Sequence, residues 1–97
     1  MVQTANIVTA LRYYFQTESR VRHAWMFGSF ARGDYRPDSD VDVMIEMKTD
    51  KRYTLFDLFD IQYRLEQLLN RKVDIVEKDF IKPSARTNAI QNVTVII

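Results

Sequence analysis

Both glycines of the chain fall inside one run of six residues, Gly28-Ser29-Phe30-Ala31-Arg32-Gly33. After five more residues comes a second run, Ser39-Asp40-Val41-Asp42. Glycine permits positive φ and lets another group come close to the backbone. A tight strand-to-helix turn of this composition can receive a ligand, because N–H groups at the start of a helix attract phosphate. Ser29 adds a hydroxyl donor at the same place. Taken alone, a Gly-Ser pair reads more simply as an ordinary turn.

Asp40 and Asp42 change that balance. Side chains two apart on a strand share a face, so the two carboxylates point out together while Val41 and Val43 turn to the core. Asp34 and Asp38 lie just before them, giving four carboxylates in nine residues. Such a cluster needs a cation nearby. Arg32 and Arg36 can supply one, which leaves an isolated Asp-x-Asp as a surface ion-pair cluster. Magnesium is the alternative, since it takes one or two carboxylates together with substrate phosphates. Asp74 is the third element: Val73-Asp74-Ile75-Val76 echoes Val41-Asp42-Val43-Met44. If the two strands are neighbours, three carboxylates converge, and the chemistry they suggest is two-metal phosphoryl or nucleotidyl transfer.

Those residues need elements to hold them. The spacing of Ile7, Leu11, Tyr14 and Phe15 predicts a helix from Thr4 to Gln16, with Thr4 as its cap. Val21 to Phe27 reads as a strand, followed by one helical turn from Ser29 to Arg32 closed by Gly33. Asp34 to Ser39 is a loop, and Val41 to Glu46 is the second strand. Thr54 with Asp57 resembles a capping box for a helix ending at Leu69, whose apolar stripe reads as Leu55, Leu58, Phe59, Gln62, Leu65, Leu68 and Leu69. Lys72 to Glu77 is the third strand. A further helix is expected from Pro83 to about Gln91. Val93 to Ile97 is a terminal strand, expected to pair within the domain's own sheet. The order α-β-β-α-β-α-β predicts an α/β domain, a mixed twisted sheet flanked by helices.

The length, 97 residues, suits one domain spanning residues 1–97. With Lys+Arg 14 against Asp+Glu 13, the net charge of +1 gives no global argument for nucleic acid or membrane binding. Cysteine is absent, which excludes disulfides, zinc–thiolate sites and cysteine nucleophiles. No apolar run approaches the roughly 20 residues of a membrane span, and the N-terminus lacks a signal-peptide pattern, so a cytoplasmic protein is expected. His23 reads as structural. Tyr13, Tyr14 and Phe15 read as a core face plus surface aromatics, and Lys48, Lys51 and Arg52 as a solvated loop.

Together, Gly28-Ser29, Arg32-Gly33, Ser39-Asp40-x-Asp42 and the later strand Asp74 resemble the signature of the DNA polymerase β-type nucleotidyltransferase superfamily. The small size and the tail from Lys82-Pro83 to Val95 resemble its minimal nucleotidyltransferase (MNT) branch, commonly encoded beside a HEPN-domain protein as the antitoxin of a toxin–antitoxin pair. The resemblance implies metal and catalytic roles for Asp40, Asp42 and Asp74, with two magnesium ions and ATP as substrate. It implies phosphate contacts at Gly28, Ser29, Arg32, Gly33 and Ser39, with Arg32 in a supporting part. It also implies transfer of AMP, or another nucleoside monophosphate, to a hydroxyl, plausibly a tyrosine of a cognate HEPN toxin, in a type VII-like pair. Homo- and hetero-oligomers stay open. Two rivals remain at this level: an antitoxin that acts by binding alone, and a nucleotidyltransferase for a small molecule or RNA.

Overall fold

The computed structural model describes residues 4–80 and 93–97. Helix α1 spans Thr4–Gln16, strand β1 Val21–Phe27, helix α2 Gly28–Arg32, strand β2 Val41–Met47, helix α3 Leu55–Leu69, strand β3 Val73–Glu77 and strand β4 Thr94–Val95, with a 3-10 turn at Lys78–Phe80. The strands form one mixed sheet in the order β3-β2-β1-β4. β2 runs antiparallel to β1 and parallel to β3, and β4 pairs antiparallel with β1. The expected mixed sheet flanked by helices is therefore present.

Local chemistry accounts for most boundaries. α2 ends at Gly33, whose φ of 85° is the left-handed cap that glycine adopts freely. At the start of α3 the Asp57 carboxylate accepts the Thr54 N–H at 2.8 Å, the reach-back half of the predicted box. Thr4 is the first described residue of α1, so its predicted cap lies at the edge of what is described. β2 continues one residue beyond the predicted end, and β3 begins one residue later than predicted, at Val73, with the Lys72 carbonyl just before it accepting the Val41 N–H at 3.0 Å. The helix expected at 83–91 lies outside the described residues.

The core is built from Ile7, Leu11 and Phe15 of α1, Ile61 and Leu65 of α3, Phe30 of α2, the inward residues of β1, β2 and β3, and Ile96 just after β4. One expectation is corrected here. Leu55, Phe59 and Leu68 of the predicted α3 stripe are exposed, at 63%, 60% and 45%, whereas Ile61, absent from that stripe, is fully buried. α3 carries apolar side chains on both faces, and periodicity alone does not say which face meets the sheet. The Ile61–Leu65 side faces the sheet, and Arg20 pins the helix beside it. Its guanidinium reaches Glu18, Asp57 and Asp60 at 2.7, 3.3 and 2.9 Å and ties the start of β1 to one flank of α3. Burial pushes the Glu18 carboxyl up, but bonds from Arg20 and Tyr14 outweigh it and hold it below its usual value.

The terminal strand joins the sheet internally, as expected. Ile96 is buried, its N–H donates to the Ala24 carbonyl at 2.9 Å, and Arg12 donates to the Val95 carbonyl at 2.9 Å. Ile96→Ala is expected to cost about 2 kcal/mol, the low end for such truncations, because the residue follows a short edge strand. Urea denaturation would check this; an unchanged midpoint would contradict the packing. Among the described residues no helix is long and apolar enough to cross a membrane.

Candidate active site

Three strand ends meet at one place. In the sheet register Phe27 pairs with Asp42, and Asp42 pairs with Asp74. The two carboxylates therefore sit side by side on the face opposite α1 and α3, and the Gly28-Ser29 turn begins directly beside them. The echo between the Val41 and Val73 segments is thus a real adjacency: Val41, Asp42 and Val43 face Val73, Asp74 and Ile75 rung by rung. Parallel pairing brings equivalent positions together only because the whole of α3 intervenes to return the chain.

Electrostatics mark Asp42 as the focus. Its carboxyl is pushed above the usual value by partial burial, then by the charges of Asp74 and Asp40, with Arg32 opposing. Asp42 is half-buried between neighbours, while Asp74 is exposed. Gly28 explains why the turn approaches so closely. It has φ 73°, and a Cβ there would overlap the Asp42 carboxylate oxygen Oδ2. Gly33 differs: nothing lies within 4 Å of a Cβ at that position, so its glycine answers the cap conformation and not a close approach.

The remaining predicted residues are placed as follows. Ser29 lies half-buried in the first turn of α2, whose N-cap Phe27 supplies no side-chain acceptor. The Ser29 carbonyl accepts the N–H groups of Gly33 and Asp34, at 2.9 and 3.1 Å, which folds the turn back on itself. Arg32 pairs with Asp34 at 3.2 Å, both exposed. Ser39 belongs to a loop turn: its hydroxyl accepts the Arg36 N–H at 2.7 Å, and its own N–H donates to the Arg36 carbonyl at 3.0 Å. Asp38 is exposed in the same loop. His23 lies 3.9 Å from Glu46 and packs near Trp25, farther along the sheet from the Asp42–Asp74 rung.

Arg71 escaped the sequence reading. Its Nη1 donates to the carbonyls of Pro37 and Ser39, at 2.9 and 2.7 Å. Its guanidinium lies 5.1 Å from the centre of the Phe30 ring, and Phe30 stacks on Tyr35 with centroids 4.3 Å apart. No local signal reveals this, because the partners are 32 and 34 residues away.

Magnesium fits the donor chemistry of this rung. Among the described residues no trio of acidic or histidine side chains closes on one point as a finished metal cage. Magnesium does not require one: it binds through one or two carboxylates and keeps water and phosphate oxygens as its other ligands. Asp42, crowded by two like charges and raised in pKa, is where a cation would relieve most repulsion.

Comparison with known proteins adds the family. The profile described as "Nucleotidyltransferase domain" matches residues 8–96. A relative from Thermococcus cleftensis, the protein adenylyltransferase MntA, is 29% identical over 91 residues, covering 94% of this chain and 90% of its own. Shorter matches to four provisionally named protein adenylyltransferases of Methanocaldococcus jannaschii span 62–70% of their length. A solved structure provisionally named a minimal nucleotidyltransferase superposes with a TM-score of 0.76 at 28% identity, covering 96% of this chain and 95% of that one. A chain from the complex of a tri-AMPylated Shewanella oneidensis HEPN toxin with an MNT antitoxin superposes with a TM-score of 0.68 over 94% of this chain and 71% of its own. At 10% identity that likeness is one of fold.

Proposed function

The chain belongs to the nucleotidyltransferase domain family, and on that premise we propose that it is a magnesium-dependent protein adenylyltransferase. It transfers AMP, or another nucleoside monophosphate, from a nucleoside triphosphate to a hydroxyl of a partner protein. The partner is a cognate HEPN toxin and the acceptor a tyrosine, so the chain acts as the antitoxin of the pair. The observation that carries this reading is the rung Phe27–Asp42–Asp74 with the Gly28-Ser29 turn against it. The name of the Thermococcus relative supports the reaction, and the Shewanella complex supports the partner.

In the proposed reaction the α2 turn, through its first N–H groups and the Ser29 hydroxyl, holds the β- and γ-phosphates. Arg32, exposed beside the site, lends positive charge. Asp40, Asp42 and Asp74 would hold two magnesium ions, which would stabilise charge on the attacking and leaving oxygens. The acceptor oxygen forms a bond to the α-phosphorus as the bond from that phosphorus to its bridging oxygen breaks, and pyrophosphate departs. Asp74, the exposed carboxylate of the rung, accepts the hydroxyl proton.

ATP labelled on the α-phosphate, incubated with the chain and its HEPN partner, tests the proposal. Label is expected on the partner, and γ-labelled ATP is expected to leave none. Neutralisation of the toxin with no α-label transferred would replace this reading with an antitoxin acting by binding alone. Label appearing on RNA or a small molecule would move the acceptor class. Ser29→Ala is expected to weaken triphosphate binding or slow transfer by about 1.5–3 kcal/mol, the range for a hydrogen bond to a charged group. Unchanged nucleotide affinity and rate in that variant would remove the hydroxyl from the phosphate site.

A further inference from the structure

Resting on that proposed transfer, we propose that Arg71 is a positioning residue that sets Asp40 by clamping the peptide unit joining Ser39 to Asp40. Asp42 is gripped on both sides by the sheet, since it pairs with Phe27 and with Asp74. Asp40 has no such support. It precedes β2 and takes part in neither ladder. Behind it, the Val41 N–H is held by the Lys72 carbonyl at 3.0 Å. Ahead of it, the Ser39 carbonyl accepts Arg71 Nη1 at 2.7 Å. The Ser39 carbonyl and the Asp40 N–H belong to one planar unit, so holding the carbonyl orients the backbone that leads into Asp40.

Arg71 is itself held. The same Nη1 donates to the Pro37 carbonyl at 2.9 Å, which draws two carbonyls two residues apart toward one nitrogen. The guanidinium plane sits over Phe30, which is buried in the core and stacked on Tyr35 from the intervening loop. Phe30 is the residue after Ser29. One arginine thus links the turn proposed for phosphate to the loop that delivers a proposed metal carboxylate, without touching the reacting atoms. A lysine amine could offer hydrogens to both carbonyls, but it carries no guanidinium to lie over Phe30, so it is expected to reproduce the clamp only in part.

Arg71→Gln and Arg71→Lys test the clamp through two readouts. The first is amide hydrogen exchange in the metal-free protein. Exchange at Ser39 and Val41, whose N–H groups donate to the Arg36 and Lys72 carbonyls on either side of the clamped peptide, is expected to rise about tenfold in Arg71→Gln, the size of losing a hydrogen bond worth ~1.4 kcal/mol, and less in Arg71→Lys, while Met26 and Val43 in the sheet stay protected. The second is kinetic. The kcat is expected to fall about 100-fold, the scale of a 1 Å misplacement at a reacting centre, with the KM for ATP changing far less and Arg71→Lys intermediate. If Arg71→Gln does not fold, the lysine variant carries both measurements. Unchanged exchange at Ser39 and Val41 overturns the clamp. So does a rise spread evenly through β1 and β2, which would make the role one of general stability, or a loss falling wholly on KM, which would make Arg71 a substrate contact. The exchange readout needs no activity, so it judges the clamp even if the wild-type chain transfers no nucleotide.

Discussion

Asp40→Asn combined with Asp42→Asn is expected to abolish nucleotide transfer while leaving the fold intact. The loss should exceed the ~10²–10³-fold typical of removing one electrostatic donor, because both substitutions fall on one proposed metal site. Stability should move the other way. Asp42 is raised in pKa by burial and by the charges of Asp74 and Asp40, so its ionised form is disfavoured in the folded protein. A carboxyl raised on folding binds protons more readily in the native state, so native stability falls as pH rises through the shifted pKa. At neutral pH and without metal, the double variant should therefore unfold at the same or higher denaturant concentration than the wild type. The gap should close as pH drops and the wild-type carboxyl protonates. Denaturation across that pH range, beside α-labelled transfer at neutral pH, checks both halves. Transfer at the wild-type rate would place the chemistry elsewhere.

Gly28→Val is expected to be the most damaging single change in the turn, and Gly28→Ala only somewhat milder. Intrusion on the phosphates is one cause that the glycine run suggests; the structure supplies another. Any Cβ at this position overlaps the Asp42 carboxylate, and φ is 73°. Gly33→Ala is the natural control. Gly33 has the same left-handed backbone, at φ 85°, but open space around its Cβ direction. Both alanine variants should lose ~1–2 kcal/mol of stability to left-handed strain. Only the change at Gly28 should also displace Asp42, cutting transfer per folded molecule by about 100-fold. Chemical denaturation with transfer normalised to folded protein separates the two terms. Equal activity in the two alanine variants would show that the close approach of Gly28 to Asp42 has no part in the chemistry.

Much of this site was legible in the sequence because its signals are local. Glycine at positions 28 and 33, aspartate two apart at the start of a valine-rich strand, and Thr54 three residues before Asp57 each state their conformation within a few residues. The order of elements from α1 to β3 and the ends of α2 and α3 followed from the same short-range chemistry. The second valine-flanked aspartate, Asp74, could be matched to Asp42 by pattern, but its distance could not.

Tertiary structure decided the rest. Parallel pairing of β2 with β3 turned a sequence echo into one rung, Asp42 beside Asp74, and the like charges on that rung raise Asp42. It chose Ile61 and Leu65 over Leu55 and Phe59 as the buried side of α3, since apolar residues stand on both sides of that helix. It also brought Arg71 to the carbonyls of Pro37 and Ser39. Periodicity and turn chemistry act over a few residues, so the chain declares them as it is read. Register, the choice between two apolar helix faces and a hydrogen bond across more than thirty residues are settled only when separate segments compete for the same space in the folded core.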